Sequence, residues 1–160
     1  MRSLFYETKS NRIFCLAADS TGHWCFLGTW FTLTRSLQNF SSSEFIHIGK
    51  TIIANVALPM RIIMPATLIV MLLALWQSFG VDKPAFYLYA VSFLLMILTL
   101  IITVSVEVPI DNQIKTWTEN NVPNSWQNLR QTWDKFHTIR TFSSIASLAF
   151  FALGILKRIK

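Results

Sequence analysis

The chain has 160 residues and a formal net charge of +6; 52% of its residues are hydrophobic and only 14% charged. A soluble domain carries about 25% charged residues, and here the apolar residues fall in long blocks instead of alternating with polar ones, so water is not the principal solvent. The same blocks exclude the soluble basic surface that nucleic-acid binding requires.

In chain order, residues 1–12 form a polar tail carrying Arg2, Lys9 and Arg12. Residues 13–35 have the length of a first helix, but Asp19 and His23 interrupt it, and a carboxylate at mid-bilayer costs about 2.5–3.5 kcal/mol. Either this helix faces a polar interior or its span begins nearer Trp24. No small-x-small cleavage site follows its short apolar stretch, so it does not read as a signal peptide. Cys15 and Cys25 show neither metal nor redox spacing.

Ser41, Ser42 and Ser43 followed by Glu44 predict a helix start, with a serine accepting from free amides and the carboxylate favoured by the helix dipole. An amphipathic helix of about Ser43 to Val56 then leads, within residues 43–79, into the second span. Pro59 and Pro65 flank Arg61 there and invite a kink. Ile62 to Phe79 is uncharged over 18 residues. The turn Gly80-Val81-Asp82-Lys83-Pro84 makes the second and third spans antiparallel neighbours. Residues 85–106 are uncharged over 22 residues, enough at 1.5 Å per residue to cross the roughly 30 Å hydrocarbon core.

Residues 107–124 read as a polar loop. Asn124 after Pro123 can cap a long last helix over 125–156, half outside the hydrocarbon and half within it. The terminal Lys157-Arg158-Ile159-Lys160 anchors that helix among head groups. The sequence therefore predicts an all-α integral membrane helical bundle. It has four helices in one domain over 1–160, with the first helix least regular and the last extending out of the membrane. Cationic tails and the Lys83 turn on one side place both termini in the cytoplasm, at the plasma (inner) membrane.

Trp126, Arg130, Trp133, His137, Arg140 and Ser144 follow at alternating steps of four and three and so share one face of the last helix. Glu107, Asp111, Asn112 and Trp117 lie near the same membrane end, and Arg130 or Arg140 is expected to pair with Glu107 or Asp111, since an unpaired charge there is expensive. His137 is the residue of the stripe that exchanges protons near neutral pH, which makes it the candidate general base. The bland reading is an interfacial belt of tryptophans and snorkelling cations. A non-enzymatic alternative makes the cluster a polar binding or assembly surface at one membrane face, and homo-oligomerisation is compatible with either. His23, His47 and His137 show no paired metal-ligand spacing.

The stretch Val106 to Thr141 resembles the anthrone oxygenase-like family of small membrane proteins. That family shows a V-P-I-N-N-x-I run, then W, P, W-x-x-x-R-x-x-W and H-x-x-R-T. The matching residues are Val108, Pro109, Ile110, Asp111, Asn112, Ile114, Trp117, Pro123, Trp126, Arg130, Trp133, His137, Arg140 and Thr141. The likeness continues more loosely over about Gly28 to Leu156. Asp111 stands where the family usually has asparagine, and the first 25 residues lack its smooth first helix. The resemblance implies oxidation of a hydrophobic aromatic phenol or ketone by dioxygen with no metal or flavin. It makes His137 the base, and Arg130 or Arg140 the stabiliser of an enolate oxygen. Trp117, Trp126 and Trp133, with Asp111 and Asn112, would bind the flat substrate.

Overall fold

A computed structural model describes residues 26–34 and 36–159, with side chains up to Lys157. The part of the expected first helix that carries Asp19 and His23 lies outside the described residues. Its C-terminal part is helical over 26–29 and continues as a π-helical turn, Trp30–Thr34, followed by a 3-10 turn, Leu37–Asn39. Three long helices follow: α1 is Ser42–Ser78, α2 is Lys83–Ile102, and α4 is Trp126–Ile159. Between α2 and α4, a π-helical turn, Thr103–Glu107, carries α2 directly into a short α3, Val108–Thr116.

Each boundary has a local cause. Ser41 starts α1 by accepting from the Glu44 amide while the Glu44 carboxylate accepts from the Ser41 amide, a reciprocal capping box. Both prolines lie inside this helix, which continues to Ser78. In an apolar surrounding nothing but the helix itself can satisfy the backbone groups, which favours its continuation past both prolines. Gly80 has φ +73°, the left-handed conformation that ends the turn after α1. Asp82 then caps α2 by accepting from the Ala85 amide at 3.1 Å.

The polar segment 107–124 departs from expectation, since helix persists through Thr116 and only the residues after it form a loop. The physical reason lies around Pro109, which cannot donate to the carbonyl four residues before it. The π-helical turn shifts the hydrogen-bond register just upstream, so Pro109 falls in the first turn of α3, where a missing donor costs nothing.

Among the described residues, three helical stretches are long and apolar enough to cross a membrane: Ser42–Ser78, Lys83–Thr116 and Trp126–Lys157. Burial is inverted relative to a soluble protein. Leu58, Ile62, Trp76, Leu94 and Leu156 are exposed, whereas Ser78, Ser92, Thr99, Ser144 and Ser147 are buried. Small polar residues let helix backbones approach when the outer solvent is lipid. Ser92 and Ser147 donate to each other's carbonyls at 2.7 and 2.8 Å, joining α2 to α4. Farther along this seam a Cβ on Gly154 would meet the Tyr89 ring at 2.6 Å. The chain is an all-helical bundle and an integral membrane protein.

Two buried clusters lie along the bundle. Met64, Met71, Tyr89, Met96 and Phe151 fill the membrane-level core together with Phe26. Phe45, Ile53, Ile110, Ile114, Trp117 and Trp133 fill a second core, formed where the helices run beyond the uncharged spans. We refer to this second part as the cap. Lys50 fastens it by donating to the Trp117 carbonyl at 2.6 Å.

Candidate functional site

The site lies where the spans meet the cap. Arg61 precedes the uncharged run of α1, Glu107 follows that of α2, and Arg140 stands at the start of the last apolar run. Antiparallel packing therefore brings all three to one membrane level.

Arg140 is the hub. Its guanidinium pairs with Glu107 Oε2, donates from Nη1 to Thr103 Oγ1 at 3.1 Å, and approaches His137 Nδ1 from Nη2 at 2.8 Å and Nε at 3.2 Å. The group also lies over the Phe26 ring, 4.7 Å from its centroid. Glu107 is 2% exposed, Arg140 9% and His137 0%; the opposite charges of Glu107 and Arg140 survive this deep only as a pair with further hydrogen bonds. Because a guanidinium only donates, Nδ1 of His137 is the acceptor, which puts the imidazole proton on Nε2. That nitrogen is buried without a hydrogen-bond partner. Trp133 stacks flat on the imidazole, centroids 4.6 Å apart and planes 7° from parallel. Glu107 Oε1, 3.5 Å from Nδ1, also lacks a hydrogen bond.

Beside this cluster is a cavity of about 410 Å³, within the range of roughly 300–1,000 Å³ of small-molecule sites. Ile52, Val56, Met60 and Met64 of α1 form its apolar wall, and Leu100 and Val104 face them from across the gap. Thr103, Glu107, Asp111, Asn112, Trp133 and Arg140 supply polar groups, and Arg61 and Lys115 also line it. Val56, Val104 and Val108 line the cavity and are exposed on the apolar outside as well.

The expected stripe thus divides along its length. Trp133 and Arg140 reach the cavity together with Asp111 and Asn112, while His137 is not among the lining residues and stands behind Arg140. Arg130, expected to pair with a carboxylate or face a substrate, instead donates to the Leu37 carbonyl at 2.9 Å and stacks over Trp126. Trp126 packs on Phe45, and Trp117 is buried in the cap core. These three hold the cap together because they lie beyond the membrane level at which the cavity forms. Of the expected ion pairs, the one formed is Arg140 with Glu107.

Glu107 is more central than its sequence position suggests. The readable signal is its spacing: Thr103, Glu107 and Asp111 recur every four residues, on one face of a helix that sequence reading cuts short at 106. Phe26, an unremarkable aromatic in the chain, enters the site only through tertiary packing.

No curated protein and no solved structure matches the chain. A family model described as anthrone oxygenase matches residues 51–150, which takes in α1 from its third turn, the whole of α2 and α3, and α4 through Phe150. That stretch supplies nearly every side chain around the cavity, and the chain belongs to the anthrone oxygenase family.

Proposed function

We propose that the protein is a cofactor-independent oxygenase that oxidises a hydrophobic aromatic phenol or ketone with dioxygen. The carrying observation is the pairing of an apolar cavity at membrane level with one buried, ion-paired arginine in its wall. A poorly soluble aromatic ring and dioxygen both partition into such a space. Trp133 offers it a flat aromatic surface, and Asn112 a side-chain amide.

The chemistry follows from the substrate. An anthrone loses a proton from its methylene carbon, and the electron pair moves onto the carbonyl oxygen as an enolate. Arg140 has five N–H groups, and its contacts with His137, Glu107 and Thr103 leave one on Nη1 for that oxygen. Charge developing opposite a fixed, poorly hydrated cation is stabilised without reorganisation. The enolate passes one electron to dioxygen, and the carbon radical and superoxide join. The resulting peroxide takes up a proton and expels water to leave a second carbonyl. Overall, one anthrone and one dioxygen give one anthraquinone and one water.

His137 acts as a positioning residue, its Nδ1 holding the guanidinium in place. We also place the protein in the plasma membrane with its termini cytoplasmic, a reading supported by the basic residues after Leu156. Reporter fusions at either end check this, with cytoplasmic signal from both expected.

Oxygen uptake tests the activity. Protein in lipid nanodiscs should consume dioxygen with anthrone and release the quinone, and Arg140→Gln should lose about 10²–10³ of the rate, as loss of an oxyanion donor does. Binding of the aromatic ligand without turnover would instead favour a non-enzymatic binding protein.

A further inference from the structure

We infer that Asp111 is the group that takes the substrate's carbon-bound proton, an assignment that rests on the oxygenase reading above. Among the described residues, three side chains in or beside the site could accept a proton, and their surroundings separate them. His137 does not line the cavity, and the nitrogen free of hydrogen on its ring already receives Arg140. It cannot accept another proton there unless Arg140 leaves. Glu107 lines the cavity, but its Oε2 holds Arg140 and its Oε1 points toward His137 Nδ1 at 3.5 Å. Protonating it would leave the buried guanidinium without its counter-charge, which is costly.

Asp111 has neither restriction. It lines the cavity, it is half-buried, it accepts a side-chain hydrogen bond from Trp133, and its carboxylate forms no ion pair among the described residues. It follows Glu107 by four residues on the same helical face, which sets it about 6 Å farther along the axis from the level of Arg140. An anthrone has the same polarity built in: its acidic carbon lies opposite its carbonyl across the central ring. A substrate oxygen on Arg140 therefore directs the carbon along the helix axis toward Asp111, with Trp133 beside the ring. The captured proton also has an exit, since the neighbouring Asn112 and Lys115 line the cavity and are exposed.

In the step itself, the C–H bond breaks and its proton goes to an Asp111 oxygen, while the electron pair goes to the enolate on Arg140. Asp111 later returns a proton to the peroxide formed with dioxygen, so the carboxylate is regenerated with each turnover.

Exchange without oxygen isolates this step. Anthrone is incubated anaerobically with the nanodisc-embedded protein in deuterium oxide, and deuterium at its methylene carbon is followed by NMR against a protein-free control. Wild type should accelerate exchange, Asp111→Asn should lower the acceleration about a hundredfold or more, and Arg130→Gln, whose side chain serves the cap and not the cavity, should retain most of it. Added formate should restore part of the exchange in Asp111→Ala, which guards against a variant that has merely lost its fold. Undiminished exchange in Asp111→Asn, or an equal loss in Arg130→Gln, would overturn the assignment. Wild-type exchange without oxygen uptake in air would remove the oxygenase reading and leave Asp111 as a base; no exchange above the control would remove both.

Discussion

Arg140 joins more groups than any other side chain described around the cavity, and its loss should be felt twice, in turnover and in stability. Removing one member of a buried ion pair leaves the other uncompensated, at about 3–5 kcal/mol. Glu107→Gln, which keeps the shape and removes the charge, is accordingly expected to lower the unfolding free energy in detergent by that order, read by titration with a denaturing detergent. Arg130→Gln behaves differently if the site is as described. It frees the Leu37 and Phe40 carbonyls, so it should destabilise by about 1–3 kcal/mol while the folded fraction turns over at the wild-type rate. The chain did disclose the Trp-Arg-His-Arg stripe and an arginine–carboxylate pair near it. It could not disclose which arginine, because residues 130 and 140 share a helical face and differ only in depth.

Among the elements, the α2–α4 seam sets a serine pair and a glycine beside the Tyr89–Phe151 ring contact, so small residues let the two backbones approach. Ser147→Leu removes a reciprocal pair of hydrogen bonds and inserts bulk between backbones, and Gly154→Leu drives a side chain into the Tyr89 ring. Both should lower thermal stability in detergent, Ser147→Leu by on the order of 1–3 kcal/mol for overpacking with lost hydrogen bonds. An equally bulky change at lipid-facing Ile69, such as Ile69→Phe, should leave it unchanged. Helices were legible wherever uncharged length spoke for them, as over 62–79 and 85–106. The stretch beyond residue 106 was not, since its polarity suggested a loop. What decides in favour of helix is the register shift at Thr103–Glu107, which no residue pattern displays.

For the whole molecule, the bundle keeps apolar residues outside and small polar ones between helices, and then extends past the membrane into a cap with its own core. The cavity forms at the junction of the two cores, where an apolar wall and a buried ion pair can coexist. The charges that end each span are readable in the sequence, but the cavity itself is a product of α1 crossing near α2 and α3. The most direct measurement is oxygen uptake and quinone release with anthrone, comparing wild type with Ala57→Trp, whose new ring would occupy the cavity from α1. The account predicts one dioxygen consumed per quinone in wild type and only the protein-free background rate in the folded variant. Equal rates in the two proteins would contradict it, because the chemistry would then be taking place somewhere other than this cavity.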